Sequence, residues 1–523
     1  MKSKYLSASN LIFGFLILIA AGFIIAETVA YDITWDDSMI FYRYAENFVN
    51  GHGLVYNPGE FVEGYSSFLW TLLLALGGFL GFGIPVVARW LGVLFAIGSV
   101  IIVFNLGRRF MPHTILAGVI AVLLLAFRFD FGLYAHSGME TALATFLVSL
   151  TYFLYIKNID INLSLWTVGI FAGLICITRP EGIIVMAAFT VTELTRYKSE
   201  NIKRLLVRLV SLIVPVIVIF GSFIIWRLIY YNDFFPNTYY VKISGLDPFF
   251  LVRGLFHYLK FFIYGGGFVY FIPLLVFVIL TWKKIETRAV FILFLILSAF
   301  TIYTTGDWFP YGRFMQPILP VLIAGIAAGI VIIKEKLQLN NFVVALMVAL
   351  FLFSGYQNAL RHDMEPTVEA FGHNIDVGYW SNLGRFLGEM QKEVPDMSVA
   401  AYPIGALGYY SHARIIDMCG LTDHYIARNG VQLRGFVGHE RTHTAYVMEQ
   451  KPDIVFVGAE KQDSLDRLVP MFIELNPKVS TYELPYSMEE IIESFIRDYE
   501  YIKLPDYLGF WCRKDSPCMQ FCN

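Results

Sequence analysis

The sequence predicts a polytopic α-helical membrane protein whose C-terminal part is a soluble α/β domain. Of the 523 residues, 57% are hydrophobic and 15% are charged, whereas soluble domains carry about 25% charged residues. Apolar runs of the length that crosses a bilayer, about 20 residues, recur up to residue 360. Beyond that point charged and turn-forming residues become frequent, and no later run is long enough to span. We therefore expect a transmembrane domain over 1–360 and a soluble domain over 361–523.

About eleven of the apolar runs are predicted to be membrane-spanning helices. The run at 66–82 is the exception, because counting it as a span would reverse the side of every basic loop after it. We predict that it lies along the membrane surface or dips into it, within a first external loop over 31–85 that carries amphipathic helices. The predicted spans are 11–30, 86–106, 114–127, 139–156, 164–178, 182–195, 206–229, 262–282, 288–304, 316–333 and 341–358.

The distribution of basic residues predicts which side each loop faces. With 66–82 excluded, five successive loops on the side of Lys2 and Lys4 are rich in arginine and lysine. This is the positive-inside pattern of membrane proteins, so we predict a cytoplasmic N-terminus and an extracytoplasmic first loop and C-terminal domain. The basic loop residues are Arg108, Arg109, Lys157, Arg196, Lys198, Lys203, Arg204, Arg208, Lys283, Lys284, Arg288, Lys334 and Lys336.

The C-terminal segment has the pattern of a small α/β fold. Three short apolar stretches, 399–402, 413–417 and 453–457, have the composition of buried strands, and helical patterns over 378–393 and 441–450 accompany them. No glycine-rich phosphate-binding turn follows a strand, so a nucleotide-binding domain is not indicated. The net charge of −3 gives no support for a nucleic-acid partner.

The five cysteines do not form a disulfide framework. Cys512, Cys518 and Cys522 cluster near the C-terminus, and one disulfide among them is expected if that end lies outside the cytoplasm. The cluster includes no histidine, which makes a zinc site the weaker interpretation.

Two adjacent carboxylates, Asp36 and Asp37, directly follow the first predicted span. Charged groups are costly beside a membrane, where they are poorly solvated, so this pair indicates a function. The alternative is that the pair only begins the next helix, since carboxylates cap the N–H groups of a helix N-terminus and suit its dipole. The residues alone leave both interpretations open.

Further polar motifs lie on the external side of the predicted topology, opposite the basic loops. Arg313 suits a phosphate, because a guanidinium can bind two phosphate oxygens at once. Structural alternatives exist for others: Arg179 and Glu181 can form an ion pair within a tight turn, and Asp307 can cap one. The motifs are Glu60 with Glu63–Tyr65, His136–Glu140, Thr178–Gly182, Pro236–Lys242 and Gly306–Phe314.

Taken in order along most of the chain, these motifs resemble the GT-C superfamily of polyprenyl-phosphate-dependent glycosyltransferases, whose long first external loop opens with an acidic pair. More narrowly, they resemble the mycobacterial terminal β-(1→2) arabinofuranosyltransferase and related bacterial proteins. Each match is short, but together they are specific to the group. The matching segments are Asp36–Tyr44, Gly51–Asn57, Val62–Ser67, Ser137–Thr141, Arg179–Gly182, Pro236–Tyr240, Gly306–Trp308 and Asp417–Asp423.

The resemblance implies a GT-C fold and an inverting transfer of a sugar, expected to be arabinofuranose, from a polyprenyl-phosphate donor to an acceptor hydroxyl. The reaction is expected on the extracytoplasmic side of the bacterial cytoplasmic (inner) membrane. Asp36 is the expected base that takes the acceptor's proton, and Asp37 orients it, binds the acceptor or helps to hold a divalent ion. The expected donor-binding residues are Arg43, Tyr44, Arg179, Glu181, Asn237, Tyr240, Lys242, Asp307 and Arg313. The expected acceptor-binding residues are Glu63, Tyr65, His136, Glu140 and Asp423.

The same resemblance implies no required cofactor. A divalent cation, Mg²⁺ or Ca²⁺, is the alternative, because the acidic pair together with Asp307 or Glu181 offers the oxygen ligands that these ions prefer. The sequence motifs do not specify whether the sugar is a pentose or a hexose. They also leave open whether the acceptor is a glycan or a surface protein such as a pilin.

Two other classes of function are compatible with the residues. A lipid or polysaccharide transporter (a flippase) should show internal repeats and ionisable residues near the bilayer midplane, and we find neither in the sequence. A non-catalytic assembly partner would use its outer domain to bind cell-wall components. Transfer or hydrolysis of a lipid-linked sugar by the purified protein separates the enzyme from both.

Overall fold

The structure, a computed structural model, describes the chain from residue 2 to residue 521 with ten internal gaps. The ranges outside the description are 32–33, 162–163, 198–200, 243–247, 265–269, 305–308, 364–374, 433–440, 457–494 and 503–508. Asp307 and Cys522 therefore lie outside the described residues.

Residues up to 363 form a helical part. Its helices are α1 (Lys2–Ala30), α2 (Asp36–Val49), α3 (Phe68–Phe79), α4 (Ile84–Phe110), α5 (Leu116–Ala126), α6 (Phe129–His136), α7 (Thr141–Ile161), α8 (Trp166–Thr178), α9 (Gly182–Leu194), α10 (Ile202–Tyr231), α11 (Asn237–Lys242), α12 (Pro248–Tyr264), α13 (Phe271–Thr281), α14 (Ile285–Tyr303), α15 (Leu319–Lys336) and α16 (Asn341–Asp363). A 3-10 helix, Pro310–Ile318, leads into α15.

Each of the eleven predicted runs overlaps one of these helices, which confirms the prediction of a polytopic helical membrane protein. In the described part of the chain, six helices are long and apolar enough to cross a bilayer: α1, α4, α7, α10, α14 and α15. The pair α5 and α6, bent by 62° at a short break, counts as a seventh span if it is taken as one. The other four runs contain the shorter apolar helices α8, α9, α13 and α16.

Helix α3 occupies the run that we predict not to span. It has 12 residues, so it reaches about 18 Å at 1.5 Å per residue, well short of a hydrocarbon core of about 30 Å. A turn with Gly81 at φ 86° ends it, and α4 begins three residues later at Ile84. Its length agrees with a helix that dips into the membrane beside α4.

Helix α15 is the centre of the membrane part. Within its most apolar window, 94% of the residues are buried, because α4, α5 and α13 surround it. Glycines allow the closest of these approaches: a Cβ at Gly329 would overlap the carbonyl oxygen of Pro273 in α13. Such small-residue contacts let helix backbones meet in a membrane, where van der Waals packing is a main source of helix association.

Residues 375–521, called here the C-terminal region, form an α/β fold. The main sheet has the order β2-β1-β5-β7-β6, with β1 parallel to β2 and β5, and β7 antiparallel to β5 and β6. The strands are β1 (Ser398–Ala401), β2 (Arg414–Asp417), β3 (Val431–Gln432), β4 (Arg441–Thr442), β5 (Ile454–Val455), β6 (Tyr499–Ile502) and β7 (Phe510–Arg513). The helices are Ile375–Glu393, Gly405–Ser411, His424–Asn429 and Thr444–Glu449.

This fold confirms the predicted α/β class and the strands β1, β2 and β5. Part of the helix predicted over 441–450 is wrong, because Arg441–Thr442 pairs with β3 and the helix begins at Thr444. Strands β6 and β7 have no counterpart in the sequence prediction. Cys512 lies in β7 and Cys518 follows it, both buried; the predicted disulfide stays a prediction, since Cys522 lies outside the described residues.

One arginine of α2 joins the membrane part to the C-terminal region. Arg43 is 2% exposed, and it donates to the Tyr56 carbonyl at 2.7 Å and to the Asn57 amide oxygen at 3.2 Å. Two further bonds, each 2.6 Å, reach the carbonyl oxygens of Gly408 and Ala413 in the C-terminal region. A single buried guanidinium therefore fixes three segments of the chain to each other.

The segment after α2 extends this contact. The Asn57 amide donates to the Ile415 carbonyl at 2.8 Å and accepts from the Ile415 N–H at 3.1 Å, so it pairs with the edge strand β2. The Tyr56 hydroxyl donates to the Ile404 carbonyl at 2.5 Å. Gly408 is needed beneath this ring, because a Cβ there would overlap the Tyr56 hydroxyl. Side chains of the membrane part thus satisfy backbone groups of the C-terminal region.

We predict that Arg43→Met lowers the free energy of unfolding by about 3 kcal/mol or more. The change leaves buried carbonyl oxygens without their donors, and a hydrogen bond to a charged group contributes about 1.5–3 kcal/mol. Thermal unfolding in detergent measures the effect.

Arg414→Met is the matched control. Its ion pair with Glu60, at 2.7 Å, joins the same two parts but is 45% and 36% exposed, so its loss should change stability by less than about 1 kcal/mol. Equal effects of the two substitutions would contradict the special role of Arg43.

Candidate active site

The acidic pair forms the first turn of α2. The N-cap residue is Trp35, and no side chain makes a capping hydrogen bond there. The two carboxylates therefore lie not at the N-cap position but inside the first turn, where their charge suits the N-terminal end of the helix dipole. Asp36 and Asp37 are both half-buried, and they have different surroundings.

Asp36 is bound by the C-terminal region. Its Oδ2 accepts from the N–H of Gly405 at 2.9 Å, and its Oδ1 accepts from the N–H of Ala406 at 2.7 Å. Only glycine fits at this position, because a Cβ at Gly405 would overlap the backbone oxygen of Asp36 and approach its Oδ2 to 2.7 Å. Both carboxylate oxygens of Asp36 therefore accept a hydrogen bond from the C-terminal region.

Asp37 faces the loop that follows β2. Burial raises the pKa of the Cys419 thiol in that loop well above its usual value, and the negative charges of Asp417 and Asp37 raise it further. Among the described residues, the Asp37 carboxylate accepts no hydrogen bond. Asp37 thus presents a half-buried carboxylate at the junction between α2 and the C-terminal region.

Asp417 shapes this loop and is a residue that the sequence analysis did not assign to the site. Its carboxylate accepts from the N–H groups of Cys419, Gly420 and Thr422 at 2.7 to 3.1 Å. Burial raises its pKa to about 6, while the N–H bonds from Thr422 and Cys419 oppose that rise. An aspartate that precedes a glycine by three residues is a known turn signal, and it would have identified this role.

The His136–Glu140 motif lies beside the acidic pair. The Trp35 N–H donates to the Ser137 carbonyl at 3.3 Å, and the Trp70 indole of α3 donates to the Gly138 carbonyl at 3.1 Å. His136, at the end of α6, is 3% exposed. The break between α6 and α7 therefore contacts both Trp35, directly before α2, and Trp70 of α3.

A buried charged triad includes Glu140 of the same motif. Arg179 donates to Glu140 at 2.6 Å through Nη1 and to Glu181 through Nε. All three residues are at most 4% exposed. The ion pair between Arg179 and Glu181 was the structural alternative for this turn, and it is present. Glu140 Oε2 is buried and has no hydrogen-bond partner among the described residues, so the triad keeps one acceptor oxygen available.

Aromatic rings connect the acidic pair to two arginines. Trp35 packs edge-on against Phe309, with ring centroids 5.2 Å apart, and the guanidinium of Arg313 lies 4.0 Å from the centre of the Phe309 ring. The guanidinium carbons of Arg313 and Arg179 are 5.8 Å and 5.4 Å from the centre of the Phe314 ring. Arg313 is thus linked through Phe309 to Trp35, the residue before the acidic pair, whereas Arg179 is already paired with Glu140 and Glu181.

Other predicted donor-binding residues, and Asp423 of the predicted acceptor-binding residues, make contacts in or with the C-terminal region. The Asn237 amide donates to the carbonyl oxygens of Gly420, Leu421 and Asp423 at 2.7 to 3.1 Å. The Tyr240 hydroxyl donates to Asp233 at 2.7 Å, and Arg428 covers its ring at 4.1 Å. The Asp423 carboxylate accepts from Ile426 N–H at 2.8 Å as a helix cap. Arg43 has the same connecting role, and Lys242 is exposed at the end of α11.

Three predicted residues pack the segment between α2 and α3. Glu63 forms a bidentate ion pair with Arg227 of α10, at 2.5 and 3.1 Å. The Tyr44 hydroxyl donates to the Val62 carbonyl at 2.6 Å and accepts from the Gly64 N–H at 2.8 Å. The Tyr65 hydroxyl lies 3.2 Å from that of Tyr231. These contacts are inside the fold, so the residues stabilise it.

The possible metal site stays a prediction. In the part of the chain that the structure describes, no group of three or more His, Cys, Asp or Glu side chains is arranged to hold a metal ion. Asp307, one of the proposed ligands, is outside that part. Glu181, the other, already binds Arg179.

We predict that Arg179→Met destabilises the protein by about 3–5 kcal/mol, since it leaves two buried carboxylates without their cation. Thermal unfolding in detergent measures this loss. Glu140→Gln is the matched comparison: its amide oxygen still accepts from Arg179, so stability should change by about 1 kcal/mol or less. Equal losses in the two variants would show that the guanidinium does not compensate these charges.

Three comparisons place the chain among known proteins. A family model described as "Domain of unknown function (DUF8728)" matches residues 370–515, which is the C-terminal region. Among curated proteins, the chain is 27% identical over 229 residues to the terminal beta-(1->2)-arabinofuranosyltransferase of Mycobacterium tuberculosis, covering 40% of this chain and 35% of that protein. It is 32% identical over 154 residues to the enzyme of the same name from Corynebacterium glutamicum, covering 28% and 22%. The matches thus span about a third or less of these relatives.

Three solved structures superpose on most of this chain. ArnT from Cupriavidus metallidurans in the apo state superposes with a TM-score of 0.54 over 97% of this chain and 98% of that one. The same protein bound to undecaprenyl phosphate gives 0.51 over 80% and 86%. The oligosaccharyltransferase of Archaeoglobus fulgidus gives 0.52 over 95% and 73%. Identity is 12% in each case, so the likeness concerns the fold. The chain therefore has the fold of ArnT and of this oligosaccharyltransferase, which agrees with the fold that the sequence resemblance implied.

Proposed function

We propose that the protein is an inverting membrane glycosyltransferase that moves a sugar from a polyprenyl-phosphate donor to an acceptor hydroxyl. The sugar is a pentofuranose of the arabinofuranose type, and the acceptor is a glycan or a surface protein. The observation that carries the proposal is the series of ring contacts that links Trp35, directly before the acidic pair, through Phe309 to the buried Arg313.

The proposed chemistry needs a negatively charged base and a positively charged group that binds the leaving phosphate. A carboxylate of the acidic pair takes the proton of the acceptor hydroxyl while its oxygen forms a bond to the anomeric carbon. The bond from that carbon to the phosphate oxygen breaks, and the lipid phosphate leaves with the electron pair. A cation must stabilise this developing negative charge, and we assign that role to Arg313.

Glu140 is the proposed contact for a sugar hydroxyl. Its Oε1 accepts from Arg179, whereas its Oε2 is a buried acceptor with no partner among the described residues. A buried acceptor without a hydrogen bond costs about 1–3 kcal/mol, and a hydroxyl of the donor or acceptor sugar would relieve that cost. The sugars that fit are therefore those that can present a hydroxyl to Glu140 Oε2.

Names of similar proteins support the donor class. The curated relatives are named as arabinofuranosyltransferases, and ArnT was solved with undecaprenyl phosphate. The positive-inside pattern supports a bacterial cytoplasmic membrane with the C-terminal region outside. The proposed reaction requires no cofactor; activity that EDTA removes and Mg²⁺ or Ca²⁺ restores would instead indicate a cation beside the acidic pair.

We predict that the purified protein transfers or hydrolyses a radiolabelled polyprenyl-phosphate arabinofuranose. The double variant Asp36→Asn with Asp37→Asn should lose about 10²–10⁴-fold in rate, the usual contribution of a general base. Glu389→Gln, which changes an acid that is 74% exposed on the C-terminal region, is the control and should keep the wild-type rate. Full activity of the double variant would exclude this mechanism.

The identity of the sugar has a separate test. A native acceptor from wild-type cells should be heavier than that from a deletion strain by one anhydropentose unit, measured by mass spectrometry. A difference of one anhydrohexose unit would keep the glycosyltransferase and overturn the pentofuranose assignment.

A further inference from the structure

We propose that the C-terminal region takes part in the chemistry by holding Asp36 through backbone N–H groups, which leaves Asp37 as the catalytic base. Asp36 is then a positioning residue, and Gly405 and Ala406 are parts of the active site. This inference rests on the proposed function, because it assigns roles within the proposed transfer. It reverses the expectation from the sequence, in which the first acid of the pair is the base.

Asp36 is poorly placed to accept a proton. Each of its carboxylate oxygens accepts a backbone N–H, at 2.9 Å from Gly405 and 2.7 Å from Ala406. Hydrogen bonds of this kind stabilise the ionised form of a carboxylate. Each oxygen keeps a second lone pair, but the two N–H groups bind the ionised carboxylate more strongly than the neutral acid, so they oppose its protonation. The two N–H groups therefore favour the ionised form of Asp36.

Asp37 has the opposite surroundings. It is half-buried, it accepts no hydrogen bond from the described residues, and its charge is felt at Cys419 in the loop that follows β2. Its oxygens are available to a hydroxyl that enters between α2 and this loop. In the transfer, Asp37 takes the acceptor's proton, the acceptor oxygen bonds to the anomeric carbon, and the phosphate leaves with the electrons of the broken bond.

The contact that holds Asp36 is fixed at two points. Asp36 and Arg43 are seven residues apart in α2, two helical turns, so they lie on one face. Asp36 accepts from the first residues of the Gly405–Ser411 helix, and Arg43 donates to the Gly408 carbonyl of the same helix. This short helix therefore cannot slide along α2 without breaking one contact or the other. The position of Asp37, next in sequence to Asp36, is set by the same two points.

The central experiment compares Asp36→Asn with Asp37→Asn in pH–rate profiles of transfer from polyprenyl-phosphate arabinofuranose. Asp37→Asn should lower kcat by about 10²–10⁴-fold and remove the acid limb of the profile, because the titrating base is gone. Asp36→Asn should lower kcat about tenfold, the equivalent of one hydrogen bond, and keep the acid limb. In addition, formate should partly restore activity to Asp37→Ala, since it supplies a carboxylate in the vacated space, and should not restore it to Asp36→Ala.

Gly405→Ala tests the contribution of the C-terminal region. The added Cβ would overlap the Asp36 backbone oxygen, so kcat should fall about tenfold or more while the KM for the donor stays within about twofold. Gly388→Ala is the matched control. Gly388 lies in the Ile375–Glu393 helix, and its added Cβ would meet the carbonyl oxygen of Tyr410, near the C-terminal end of the Gly405–Ser411 helix, at 2.8 Å. It should keep the wild-type kcat, and size-exclusion profiles in detergent report folding of both variants.

The outcomes separate this inference from the proposed function. If Asp36→Asn loses the acid limb and Asp36→Ala is the variant that formate restores, Asp36 is the base and the inference is overturned, while the glycosyltransferase stands. Equal losses of kcat in Gly405→Ala and Gly388→Ala overturn the contribution of the Gly405 N–H. If the wild-type protein transfers and hydrolyses nothing, the proposed function itself fails.

Discussion

The structure depends on the contact between one face of α2 and the C-terminal region. Asp36 accepts from N–H groups at the start of a single short helix, Gly405–Ser411. Arg43 donates to the carbonyl oxygen of Gly408 in the middle of this helix and to that of Ala413 after it. Because two glycines bring the backbones together, the contact tolerates little displacement. Two further segments lie next to this contact. They are the loop after β2, which is close to Asp37, and the break between α6 and α7, which binds Trp35.

The buried and half-buried polar groups fall into two classes: those with hydrogen-bond partners inside the protein, and those without such partners among the described residues. Arg43, Arg227 and Asn237 find their partners inside the protein, as expected where an unpaired charge would be costly. Other groups, the Asp37 carboxylate and Glu140 Oε2, have no such partner among the described residues. A polar group that folding leaves unsatisfied in a half-buried or buried position is one that a substrate can satisfy. The division separates the residues that build the site from those that line it.

Much of the fold could be predicted from the sequence because its signals are local. Each apolar run predicts a membrane helix, and the run at 66–82, which the basic loops predict not to span, contains the 12 residues of α3. The role of Asp36 was not accessible, because its partner Gly405 is 369 residues away. Likewise β7 pairs with β5 across a long stretch of chain. Side-chain partners at such distances depend on how the whole chain packs.

The reciprocal pairing of Asn57 with β2 has a consequence for protein engineering. The edge of that sheet is completed by a side chain from the membrane part, so residue 361 separates two compositions but not two independent modules. A chimera that takes the C-terminal region of a relative must take α2 and the segment after it as well. Exchange of the region alone would pair foreign backbone groups with the Asn57 amide and the Arg43 guanidinium.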